Sequence, residues 1–271
     1  MDSRPIGVFD SGLGGLTAVR QLMDQLPEEN IIYFGDTARV PYGTRTRQTI
    51  LKYVRQDVHF LLSRDIKALV IACNTADTTT RQQVMQEYDL PVFGVVEPAA
   101  REAARQTRNG RIGLIGTPAT IRSGVYAGII ATDNPAAELR QTACPLFVPL
   151  VENGRFRSGD PVAELVTAEY LAPLKAWGCD TLVLGCTHYP LLRDVIQNYM
   201  GPDVRLINSG REAARSVVDG LRQAGLLAPV GRRGTCRYFV SEAPEEFSLL
   251  ASTFLERDVT EQVEQIDIET W

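Results

Sequence analysis

The chain has 271 residues, 44% of them hydrophobic and 23% charged, with a net charge of −5. That length allows one large or two modest α/β domains with a substantial core, and that charge gives no electrostatic footprint for nucleic acid or an anionic membrane. The N-terminus carries no apolar h-region with a cleavage site, and no apolar run reaches transmembrane length, so the expected location is the cytoplasm.

Residues 6–9 read as a first strand, followed by a glycine-rich stretch, 10–16, and an apolar stripe of helical period at Leu16, Val19, Leu22, Met23 and Leu26. The glycines therefore fall in a strand-to-helix turn, whose converging N–H groups can hold a carboxylate or a phosphate. Their spacing is neither the dinucleotide fingerprint nor a P-loop. Asp10 and Ser11, at the strand's carboxyl end, are better candidates for direct contacts, and either can also cap the first helix. A second strand, 31–34, leads to a turn at Pro41, Tyr42 and Gly43 and a helix over about 45–63. The third strand, 68–72, stops at Cys73, Asn74 and Thr75 before a helix running to about Tyr88. A fourth strand covers 91–95, and a helix opens at Glu97. Strands alternating with helices predict a parallel, doubly wound sheet with ligands beyond its carboxyl ends.

The pattern then starts again. Residues 112–117 match 6–11, the segment from Val148 matches that from Val40, and the run ending in Cys186 and Thr187 matches that ending in Cys73 and Asn74. The offsets are 106, 108 and 113 positions, in the same order. Two homologous α/β halves follow. Beyond Cys186 we expect a helix over 191–200, a strand over 204–207, a helix over 209–225, a strand over 235–240 and a closing acidic helix over 244–256. The last sixty or so residues are expected to return to the first half. The expected domains are therefore 1–97 with 211–271, and 98–210.

Five cysteines without framework spacing predict free thiols, with Cys144, Cys179 and Cys236 as small buried hydrophobes. Cys73 and Cys186 differ because the repeat places them at equivalent positions facing one cleft. Two thiols so placed suit removal of a proton from one face of a carbon and return of one to the other, as in racemisation. Each lies at a strand-to-helix turn, where a helix N-terminus is expected to lower a thiol's pKa. His188 and Asp10 are placed to shuttle or orient protons. A metal site of Cys73, Cys186 and His188 is the weaker reading: the other histidine, His59, lies mid-helix and no Cys-x-x-Cys occurs. That same absence argues against a disulfide redox pair. Pyridoxal phosphate would need a Schiff-base lysine, and Lys52, Lys67 and Lys175 all fall on predicted amphipathic helices, so a cofactor-free route is expected.

Six motifs, at 9–17, 35–43, 73–76, 116–120, 149–154 and 185–190, resemble in order those of the cofactor-independent glutamate racemases. The resemblance implies interconversion of L- and D-glutamate to supply peptidoglycan. It also implies Cys73 as acid/base for one enantiomer and Cys186 for the other, the first abstracting from the D-form. Asp10, Glu152 and His188 match assisting residues. Ser11, Pro41, Tyr42, Gly43, Asn74, Thr75, Thr117 and Thr187 match the substrate cradle, with Asp10 available for the ammonium. A homodimer is implied as well. One departure is Asp77, where the family usually carries serine; it is expected to offset in part the helix's pull on the Cys73 thiolate, with a small effect on rate or pH profile. The first strand begins close to the start, so no activator-binding N-terminal extension, and no requirement for a peptidoglycan precursor as activator, is expected. The alternatives are an aspartate or related racemase of the superfamily, differing at Tyr42, Thr117 and Glu152, and a non-catalytic binding or regulatory protein, such as one acting on DNA gyrase as some family members are reported to.

Overall fold

Uninterrupted apolar runs are what a strand needs when helices cover both faces of its sheet, and the first strand, β1 (Ile6–Asp10), is buried at all five positions. In the computed structural model, which describes residues 1–259 and 262–271, it is followed by α1 (Leu16–Gln25), β2 (Ile31–Gly35), α2 (Arg47–Leu62), β3 (Ala68–Ile71), α3 (Asn74–Glu87), β4 (Val92–Gly94) and α4 (Val96–Gln106). The second series is β5 (Arg111–Gly116), α5 (Pro118–Ser123), α6 (Val125–Asp133), β6 (Glu138–Ala143), α7 (Phe147–Glu152), α8 (Pro161–Trp177), β7 (Thr181–Gly185), α9 (Arg193–Met200), β8 (Arg205–Asn208) and α10 (Ser209–Gln223). β9 (Cys236–Val240), α11 (Pro244–Leu255) and β10 (Val263–Gln265) follow, with a short 3-10 turn at Ile268–Thr270.

Two parallel sheets result, one in the order β10-β9-β2-β1-β3-β4 and the other β6-β5-β7-β8. Within each half the second, first, third and fourth strands stand in the same order, the topology that the internal repeat implies. The returning C-terminal strands extend the first sheet: Ile31 pairs with Cys236 and Val263 with Tyr238. One apolar cluster runs from Leu16 and Val19 of α1 through Ala214 and Val217 of α10 to Leu171 and Leu182 of the second half, so the halves share core as well as a cleft.

Three expectations change. Lys67 lies on no helix; it sits just before β3, buried, with its ammonium on Glu29 (2.5 Å) and on the carbonyls of Asp2 and Leu226 (both 2.7 Å). His59 is in the last turn of α2 rather than mid-helix. The helix over 244–256 does not close the chain, because β10 and the final 3-10 turn follow it. Edge strands β6 and β10 are largely polar and partly exposed, and so lack the apolar run that marks the others.

Candidate active site

The carboxyl ends of β1, β3, β5 and β7 converge on a cavity of about 520 Å³, within the size range of small-molecule sites. Cys73 enters it from the first half, at the N-cap of α3, and Cys186 from the second, immediately after β7. Ser11, Pro41, Tyr42, Gly43, Asn74, Thr75, Thr117, Glu152, Thr187 and His188 complete the expected set on its wall. Asp10 does not line it.

The glycine-rich turn explains where Asp10 went. Its carboxylate is buried, accepts the N–H of Gly12 at 3.0 Å and lies within the influence of the Gly15 and Ser11 N–H groups. The turn does hold a carboxylate, and it is the chain's own. Burial raises the Asp10 pKa, the charge of His188 and those N–H groups oppose it, and one carboxylate oxygen has no hydrogen-bond partner. The Tyr33 hydroxyl pins the turn by donating to the Gly12 carbonyl at 2.7 Å. Gly14 permits contact with the other half: a Cβ there would fall 2.1 Å from Thr187 Oγ1 and 2.5 Å from His188 Nδ1. Beside it, the Thr17 hydroxyl donates to the Thr187 carbonyl at 2.9 Å.

The two thiols have unequal surroundings. Cys73 donates to Ser11 Oγ at 3.5 Å, but burial and the nearby Asp10 charge push its pKa up to about 12, against the pull of the Ala76 N–H. The expectation that the helix N-terminus would lower it is therefore corrected: desolvation outweighs the dipole. Cys186 lies 3.9 Å from His188 Nδ1, and His188 Nε2 is 3.0 Å from Glu152 Oε1. Burial works against the imidazolium, yet Cys186 and Glu152 together push His188 up to about 10. A protonated imidazole thus sits between one thiol and a carboxylate, while the other thiol keeps its proton.

The polar cradle is also partly committed to the fold. Tyr42 turns its hydroxyl away from the cavity, to lie between Asp36 at 2.5 Å and Asp57 at 2.9 Å, beside the buried Arg39. Asn74 accepts from the Tyr126 hydroxyl at 2.7 Å and donates to Ser209 Oγ at 3.4 Å. Thr75 and Thr117 meet across the cleft, hydroxyl to hydroxyl, at 3.1 Å. Asp77 accepts the N–H of Val96 at 2.8 Å and so caps α4. Cys144 is buried as expected, yet it lines the cavity, as do Val148, Pro149 and Arg122. The match of Val148–Pro149 to Val40–Pro41 was a usable signal for the second wall; no pattern marked Arg122.

Among the described residues no helix is long and apolar enough to cross a membrane. A family model described as Asp/Glu/Hydantoin racemase matches residues 16–217. A glutamate racemase of Geobacter metallireducens is 49% identical over 255 residues, 94% of each chain. Among solved structures, a glutamate racemase of Bacillus anthracis superposes with a TM-score of 0.92 at 36% identity, covering 98% of each chain. One from Francisella tularensis, in complex with D-glutamate, does so with a TM-score of 0.91 at 37% identity over 100% of both. With its two parallel-sheet halves and its paired cysteines, this chain belongs to the Asp/Glu racemase family and, within it, groups with the glutamate racemases.

Proposed function

We propose that the chain interconverts L- and D-glutamate without a cofactor, by a two-base mechanism on Cys73 and Cys186, and that it supplies D-glutamate for peptidoglycan. The observation that carries this reading is the pair of thiols from equivalent turns of the two halves, lining one cavity, with Cys73 held protonated by burial and the Asp10 charge, and Cys186 3.9 Å from the His188 imidazole. From L-glutamate, the Cys186 thiolate takes the Cα proton while His188 balances its charge, and the Cys73 thiol delivers its proton to the opposite face. The enzyme is left with a Cys73 thiolate and a Cys186 thiol, the form that accepts D-glutamate. Proton exchange with solvent or reverse turnover restores the starting form. Glu152 orients His188; Asp10 acts on Cys73 through its charge rather than through the substrate. Ser11, Thr75, Thr117, Thr187 and the backbone around Pro41 and Gly43 offer neutral donors to the two carboxylates. The division of the chain at about residues 97 and 210, a homodimer and a cytoplasmic location belong to the same proposal.

Deuterium exchange at Cα, followed for glutamate and aspartate, tests it. Exchange with glutamate is expected, and racemisation should be absent from Cys73→Ala and Cys186→Ala proteins. Exchange with aspartate alone would favour the superfamily alternative. No exchange with either would leave only a binding role.

A further inference from the structure

A second cavity, of about 680 Å³, adjoins the thiol cavity, and Arg122 lines both. Arg45, Arg47 and Arg81 also line it. Arg81 is committed to Glu97 at 2.7 Å and lies 4.0 Å from Asp77. The other three guanidinium groups are exposed and make no ion pair or side-chain hydrogen bond among the described residues. Three unpaired cations side by side stand out on a chain of net charge −5. Arg47 opens α2, an end where the helix dipole disfavours a cation, so helix stability does not explain its position. Two ride on wall elements: Arg45 follows Thr44 of the Pro41–Gly43 wall, and Arg122 lies in the last turn of the helix that Thr117 caps.

We propose that Arg45, Arg47 and Arg122 form a cationic antechamber that draws a dicarboxylate amino acid into the thiol cavity and releases it to neutral donors. This rests on the reading of the chain as a glutamate racemase. Attraction outside and neutral donors around the thiols divide the labour, with Arg122, which lines both cavities, at the passage between them. A guanidinium paired with a carboxylate within the cavity would stabilise the bound ground state as much as the transition state and would add nothing to kcat. Cations at the mouth raise the local concentration of an anion without holding it during proton transfer, and salt screens their effect.

The test is the ionic-strength dependence of kcat/KM for L- and D-glutamate in the full-length protein, with variants first checked for native melting. Arg45→Gln/Arg47→Gln is expected to lower kcat/KM about three- to fivefold at ~10 mM salt and less than twofold at ~0.3 M, with kcat unchanged. Arg45→Glu/Arg47→Glu should deepen the loss, and Arg122→Gln should flatten the salt dependence further. A double variant that keeps the native kcat/KM and salt slope overturns the antechamber alone. So does a loss confined to kcat, which would place these side chains on the reacting substrate. If the native chain turns over no glutamate, the functional reading fails and takes the antechamber with it.

Discussion

A thiol held at about 12 beside a buried carboxylate and a thiol 3.9 Å from a protonated imidazole are unlike partners for a reaction whose two substrates are mirror images. Mirror-image substrates have an equilibrium constant of one, so kcat/KM must be equal in both directions at every pH. Any asymmetry between the thiols can appear only in the separate kcat and KM values. His188 is the group whose titration falls within reach. Its pKa is raised to about 10, so the imidazolium persists below that pH and its support for the Cys186 thiolate is lost as pH rises through it. Cys73, at about 12, stays a thiol through the same range. We therefore expect kcat/KM for both enantiomers to fall above about pH 10, and His188→Gln to lower kcat/KM on the order of a hundredfold, with that alkaline limb removed. A variant that retained the limb would assign it to another group.

Elements matter here through what they hold still. The loop from Asp36 to Thr44 carries one wall of the cavity, and its rigidity comes from beneath, where Tyr42 and Arg39 satisfy Asp36 and Asp57. Tyr42→Phe removes the one hydroxyl that lies between two buried carboxylates. It should destabilise the protein by about 1–3 kcal/mol in denaturant melts and raise KM more than it lowers kcat, because the wall loosens while the thiols stay in place. Gly14→Ala acts from the opposite side. Its new methyl would overlap Thr187 and His188, so the loss of kcat should exceed what melting temperature accounts for. These two positions also show how far the sequence could be read. The strands, the two halves and the wall motifs were legible because apolar runs and repeated punctuation record local backbone requirements. The direction of the Tyr42 hydroxyl and the withdrawal of Asp10 beneath the wall were not, since both depend on which buried group lacks a partner, a property of packing between segments far apart in sequence. β6 was missed for a related reason: a polar edge strand is specified by its neighbour, and recognising it would have placed Cys144 at a strand's carboxyl end.

Across the whole molecule, the proposed division places the joints between the halves near residues 97 and 210, and Asp77 sits at the first of them, against the start of α4. Reaching from α3, it accepts the N–H at the start of α4, and Gly94 lies so close that a Cβ there would fall 2.1 Å from its carboxylate. Burial raises the Asp77 pKa from 3.8 to about 6, with Arg81 and the α4 N–H groups opposing it only in part. Between those values the native state binds the proton that the unfolded chain releases, so stability falls as pH rises from about 4 to 6, and the penalty is fully present above 6. It is on the order of 3 kcal/mol as an upper bound. Asp77→Asn keeps an acceptor for Val96 and removes the buried charge. It should melt several degrees above the native protein at pH 8, a difference expected to vanish near pH 4. An advantage equal at both pH values would show that shape, and not the ionised carboxylate, limits this joint; an advantage only at the higher pH would mean that the chain carries a charge at its hinge at some expense to its own stability.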